Sequence, residues 1–214
     1  MTDSWGEVDL VMTTIITTCL DNEKYFGDLD SVVGDGDFGY SLARGFEKVQ
    51  AQYGELDRTD IGTFLKKVGM LVTSRIGGTS GPIWGTAFLR AGMTAGATTS
   101  LDGADVVAML RAAVAGIMAR GGAELGDKTL LDALVPMTDS IEESLAAGAG
   151  SDEIVDRAAV VTRSAADATA ELVAKRGRAA YTGERSRGSV DAGATAVAVI
   201  IEQIAEVWKT RESR

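Results

Sequence analysis

Apolar residues recur every three to four positions through most of this chain, and the in-out alternation of a half-buried strand is scarce. The pattern predicts an all-α protein. Helices are expected over residues 6–24, 39–52, 60–75, 82–97, 103–120, 129–147, 151–175 and 192–210, eight in all, separated by Gly, Asp, Ser or Pro. Short connections favour antiparallel neighbours. Several starts are marked: Asp60 precedes one apolar run, Ser151-Asp152-Glu153 opens another with acidic first-turn residues, and Pro82 suits an early helical position. The small residues of Arg90-Ala91-Gly92-Met93-Thr94-Ala95-Gly96-Ala97 predict close helix approach. A glycine inside a helix costs about 1 kcal/mol relative to alanine. Many of the 26 glycines are therefore expected at turns and ligand-facing loops.

The 214 residues, 45% hydrophobic, are enough to bury one core, and a single domain over 1–214 is expected. No apolar run approaches the roughly 18–20 residues of a membrane span. Met1-Thr2-Asp3-Ser4-Trp5 lacks the basic and apolar regions of a secretory signal, so a cytoplasmic protein without membrane contact is expected. The net charge of −10 argues against a nucleic-acid partner, which needs a basic footprint. Small anions are repelled too, unless a divalent cation reverses the sign of a site. Cys19, in an apolar stretch, reads as core. The chain has no histidine, which removes the commonest general base.

Carboxylate clusters are therefore the place to look. Asp30, Asp35 and Asp37 lie in one short loop with Gly34, Gly36 and Gly39. Glycine permits the turns that let three carboxylates converge, and a hard cation such as magnesium relieves their repulsion. A solvated Asp/Gly turn is the plain alternative. An EF-hand is excluded, because counting from Asp35 puts Gly39, Tyr40 and Phe46 at positions five, six and twelve.

Three more segments carry possible chemistry. Gly77-Gly78-Thr79-Ser80-Gly81-Pro82 reads equally as an anion cradle at a helix N-terminus or as a capped helix start. Gly121-Gly122-Ala123-Glu124-Leu125-Gly126-Asp127-Lys128-Thr129 approaches a Walker A loop, but Asp127 spoils its ending and no strand precedes it. Lys128 there has two expected partners, a phosphate or Asp127. The basic island from Lys175 to Gly188 faces a nucleotide, an acidic partner or solvent.

Together, Gly34-Asp35-Gly36-Asp37, Gly77-Gly78-Thr79-Ser80-Gly81, Gly126-Asp127-Lys128-Thr129-Leu130-Leu131-Asp132-Ala133-Leu134, and Gly177-Arg178 with Gly183-Glu184-Arg185-Ser186 resemble the dihydroxyacetone kinase family. The likeness is to its nucleotide-binding L subunit or equivalent C-terminal domain, over nearly the whole chain. It implies an antiparallel eight-helix up-and-down barrel with nucleotide held in loops at one end. It further implies that Asp30, Asp35 and Asp37 hold two Mg2+ ions. Contacts to ADP or ATP are implied at Phe38, Gly39, Tyr40, Ser41, Thr79, Ser80, Gly121, Leu130, Arg178, Asp191, Ala192 and Gly193, with Arg178, Thr79 and Ser80 positioning phosphates.

The implied partner is a ketose-binding K-type kinase subunit. The phosphoryl donor is either exchanging ATP or a phosphocarrier protein of the phosphoenolpyruvate phosphotransferase system that recharges bound ADP. The residues leave oligomeric state open, a homodimer included. Two departures stand out: Phe38 and Ser189 occupy positions where the family usually has histidine. Phe38 motivates an alternative, a non-catalytic nucleotide-binding regulator that docks on a partner.

Overall fold

The computed structural model describes residues 4–78 and 80–211. Among them the regular structure is helical: α1 (Ser4–Asp21), α2 (Glu23–Ser31), α3 (Phe38–Gln52), α4 (Ile61–Arg75), α5 (Ser80–Ala95), α6 (Gly103–Gly121), α7 (Leu131–Ala146), α8 (Ser151–Ala168) and α9 (Ala192–Trp208), with short 3-10 turns between some of them.

Eight of these helices form the expected antiparallel barrel. Each long helix packs on the next from α3 to α9, and α1 closes the ring by packing on both α9 and α3. Short α2 fills the α1–α3 connection. Contacts between ends establish the alternation. The α1 N-terminus meets the α3 C-terminus and the α4 N-terminus, where Trp5 and Tyr53 each set their rings edge-on to Phe64 at 5.6 and 5.7 Å. At the same end Asp9 accepts from Tyr53 and Arg58, Ser4 Oγ accepts from the Leu101 amide just before α6, and Arg211 after α9 pairs with Asp152 at the start of α8. Loops 32–37, 76–78, 122–130 and 169–191 therefore all lie at the opposite end.

Sequence devices expected to set boundaries do so. The Asp60 carboxylate accepts from the Thr63 amide at 2.5 Å and caps α4, and α8 opens at Ser151 with Asp152 and Glu153 in its first turn. The α4–α5 seam is tight. A Cβ on Gly62 would lie 2.2 Å from the Gly96 carbonyl oxygen, and one on Gly92 would lie 2.7 Å from that of Gly62. Phe26, Leu42, Phe46, Phe64, Val68 and Leu131 are fully buried in the core, and Cys19 is buried with them. No helix among the described residues is long and apolar enough to cross a membrane.

Two expected boundaries are corrected. The helix expected over 6–24 stops at Asp21: Asn22 leaves helical backbone geometry and its side-chain amide donates to the Thr18 carbonyl, after which α2 begins at Glu23. The helix expected over 151–175 ends at Ala168. A 3-10 turn follows at Thr169–Glu171, and the Thr169 hydroxyl accepts from the Asp191 amide, tying the α8 exit to the α9 entrance.

Candidate metal and phosphate site

The acidic loop is built by α2 and α3 together. The last turn of α2 delivers Asp30, whose carbonyl accepts from the amides of Val33 and Gly34 at 3.2 and 2.6 Å and turns the chain back. Glycine at position 34 leaves room for this turn, since a Cβ there would sit 2.8 Å from the Asp30 backbone carbonyl oxygen and 2.3 Å from its carboxylate. Gly36, at φ 76°, makes the left-handed turn between Asp35 and Asp37. Asp37 directly precedes α3 but its side chain caps no amide there, so its carboxylate stays available.

As expected, the three carboxylates converge. One oxygen from each of Asp30, Asp35 and Asp37 lies within 4.8 Å of the others, with Asp30 half-buried and the other two exposed. Burial raises the Asp30 pKa, the Phe38 and Gly36 amides oppose that rise, and the charges of Asp35 and Asp37 add to it. A cluster of hard oxygen donors carrying this repulsion has the chemistry of a Mg2+ site that also needs phosphate oxygens and water. The Arg178 guanidinium reaches the cluster from the 169–191 loop, 2.5 Å from Asp35 and 3.7 Å from Asp37.

Phe38 turns away from this loop. Its side chain is buried, with its ring centroid 6.2 Å from that of Phe26, while its amide faces Asp30 at 3.4 Å. Position 38 thus offers backbone to the loop and packing to the core. Gly39 lets α3 touch α2, since a Cβ there would lie 2.0 Å from the Glu23 carbonyl oxygen and 2.5 Å from the Gly27 nitrogen. Tyr40 is exposed beneath the Arg44 guanidinium, and Ser41 Oγ lies beside Gly77. A groove of about 620 Å³ runs along Tyr40, Ser41, Arg44, Lys48, Arg75 and Gly77.

The other sites of interest share the same barrel end. Gly77 and Gly78 are exposed, and Ser80 is the first residue of α5. Thr79 lies outside the described residues. Gly121 ends α6 against Ile83, and Gly122 caps that helix at φ 59°. Leu130 meets Gly193 across the α7 and α9 entrances, and Ala192 opens α9. Asp191 caps α9 by accepting from the Ala194 amide at 2.7 Å. Burial raises the Asp191 pKa to about 7, the Ala194 amide opposes it, the Asp132 charge adds to it and the Lys128 charge lowers it.

Lys128 does not make the expected pair with Asp127. Its buried ammonium donates to the carbonyls of Leu172, Ser186 and Ser189, at 3.2 Å, a shorter distance and 2.6 Å respectively. Its three protons are therefore spent on backbone carbonyls, and Asp127 is not among its hydrogen-bond partners. Asp127 instead accepts from Lys175 at 3.1 Å and Arg176 at 3.0 Å. The basic island is thus divided. Lys175 and Arg176 serve Asp127, Arg187 pairs with Glu184 at 3.6 Å, and Arg178 goes to the acidic loop. Gly177 and Gly183, both at positive φ, turn the backbone on either side of the segment from Arg178 to Thr182.

Residues 32–206 match the family model described as DAK2 domain. The chain belongs to the DAK2 domain family. It is 38% identical over 194 residues to the PEP-dependent dihydroxyacetone kinase ADP-binding subunit DhaL of Escherichia coli K12, covering 89% of this chain and 92% of that protein. It is 39% identical to the L-erythrulose 1-kinase of Mycolicibacterium smegmatis, covering 92% of this chain but 34% of that longer protein. The dihydroxyacetone kinase of C. freundii, solved in complex with AMP-PNP and Mg2+, superposes with a TM-score of 0.72 at 26% identity. That match covers 92% of this chain and 33% of the C. freundii chain. The structural match accords with the helical barrel.

Proposed function

We propose that this chain is the nucleotide-carrying subunit of a two-component ketose kinase, acting as one unit over residues 1–214. The observation that carries the reading is the convergence of Asp30, Asp35 and Asp37 within 4.8 Å, closed over by Arg178. In this reading the three carboxylates hold two Mg2+ ions. When bound, Mg2+ neutralises phosphate charge and aligns the transferred group. Arg178, with Thr79 and Ser80, orients the phosphates. The backbone from Phe38 to Ser41, with Gly121, Leu130 and Asp191 to Gly193, frames the nucleotide.

Phosphoryl transfer depends chiefly on alignment and charge neutralisation, so a protein without histidine can supply this half of the reaction. The ketose, dihydroxyacetone or a related tetrulose, and any general base come from a K-type partner. Similarity over nearly the full length of a PEP-dependent ADP-binding subunit favours a retained ADP recharged by a phosphocarrier protein, and hence a cytoplasmic setting. The regulator alternative rested on Phe38, whose ring belongs to the core against Phe26.

The test combines the purified chain with its K-type subunit and dihydroxyacetone, supplying either ATP alone or phosphoenolpyruvate with the phosphotransferase proteins. Turnover only with the second supply is expected. Turnover with ATP alone would refute strict phosphocarrier dependence, and no ketose phosphorylation under either supply would refute the kinase reading.

A further inference from the structure

Lys128 combines three unusual properties. It is the one non-glycine residue of positive φ among the described residues, at 62°. It is 2% exposed, and its ammonium is spent on three backbone carbonyls distant in sequence. A non-glycine residue in this region costs on the order of 1–3 kcal/mol and persists where its surroundings over-determine it, often beside a functional site. Burial of an ammonium adds a desolvation cost that only well-placed acceptors offset.

The three acceptors explain what is over-determined. Leu172 lies on the outgoing limb of the 169–191 loop, and Ser186 and Ser189 lie on its returning limb, so one ammonium joins the two limbs at their base. The Ser186 hydroxyl accepts from the Ala174 amide at 2.8 Å, and the Gly188 amide donates to Ala170 at 2.8 Å, reinforcing the same pinch. Next door, Asp127 fixes the outgoing limb further along. Its carboxylate takes Lys175 and Arg176, and its carbonyl accepts from the Lys175 amide at 3.0 Å. Arg178 follows two residues after the Arg176 anchor, and the Ser186 anchor lies eight residues beyond Arg178. The segment bearing Arg178 is thus suspended between fixed points, both held by the 122–130 loop, and its guanidinium reaches Asp35 and Asp37.

We propose that Asp127 and Lys128 are positioning residues that hold the Arg178 strap over the acidic loop, so that the near-Walker spacing acts on another loop of the protein and not on phosphate. This inference rests on the nucleotide reading above. Lys128→Met keeps most of the apolar stem and removes the ammonium; Asp127→Asn, the milder variant, keeps an acceptor for the Glu124 amide and removes the charge facing Lys175 and Arg176.

The test is a double-mutant cycle on Mg-ADP affinity by calorimetry, with amide hydrogen exchange across 174–189. Lys128→Met is expected to weaken binding about tenfold when Arg178 is present and less than twofold in an Arg178→Ala background, as coupled positions behave. Strap amides should exchange faster while those of α3 and α4 keep their protection. Asp127→Asn should show the same pattern at about threefold, and it decides the matter if Lys128→Met does not fold. Equal losses in both backgrounds, or unchanged affinity and exchange, would overturn the positioning role. A wild-type protein that fails to bind Mg-ADP would instead overturn the nucleotide reading on which the role depends.

Discussion

Asp35→Asn separates a metal site from a solvated turn, because the two readings predict different signs. Asp30, Asp35 and Asp37 place one oxygen each within 4.8 Å of the others. Two full charges at about that distance repel by about 1 kcal/mol at the dielectric of water and about 3 kcal/mol at an effective dielectric of 20. Replacing Asp35 by asparagine removes its repulsion with both neighbours and gives up its pair with Arg178. That partly exposed pair is worth about 0.2–1 kcal/mol. The metal-free variant should therefore be as stable as wild type or up to about 2 kcal/mol more stable, and the Asp30 pKa should move down toward the ordinary carboxylate range as one of its raising charges disappears. Magnesium-dependent ADP binding should move the other way. Losing even an outer partner of a metal ligand costs about 10–100-fold in affinity, so at least that much is expected here. Urea unfolding without metal and calorimetry with and without Mg2+ measure the two quantities. A variant less stable than wild type that still binds Mg-ADP with undiminished affinity would refute the argument, and the cluster would then be a turn held by Arg178.

Two further outcomes follow from other contacts. The folded-state pKa of Asp191, about 7, lies above the ordinary carboxylate value near 3.9, so its contribution to stability is full below about pH 4 and is lost as pH rises through about 7. Asp191→Asn keeps a capping oxygen for the Ala194 amide, and the stability of wild type relative to this variant should fall between about pH 4 and pH 7 in urea titrations; a constant difference would show that Asp191 is not a strained carboxylate. Gly39→Ala forces a Cβ to within 2.0 Å of the Glu23 carbonyl oxygen, and at least about 1–3 kcal/mol of destabilisation is expected. Gly54→Ala, where nothing lies within 4 Å, is the control, and equal melting temperatures for the two would argue against the α2–α3 contact.

Most of the barrel was legible because its helices carry a sustained apolar stripe and marked starts, as at Asp60 and Ser151. Helix α2 was not. It buries only Phe26, and its Gly27, Asp28 and Asp30 read as loop, so only packing against α3 reveals it as a helix. The carboxylate cluster was legible because three acids in eight residues with interleaved glycines leave little room to diverge. The roles within the basic island were not, since charge along a sequence does not say which cation meets which acid. Lys128 was misread for a related reason. Its near-Walker spacing suggested phosphate, but its positive φ sends the side chain inward to carbonyls 44, 58 and 61 residues away. At Phe38 the sequence left two outcomes open, packing alone or a changed phosphate contact; the structure places the ring against Phe26 and the amide toward Asp30.

The most direct measurement is calorimetric titration of ADP into the isolated chain, with excess Mg2+ in one series and a chelator in the other. Because the chain carries net charge −10, a nucleotide should bind only when cations bridge it to Asp30, Asp35 and Asp37. One nucleotide per chain with Mg2+ and a loss of affinity of at least about a hundredfold under chelation is the predicted result. Equal affinity in both series, or no binding with Mg2+ present, would contradict the account.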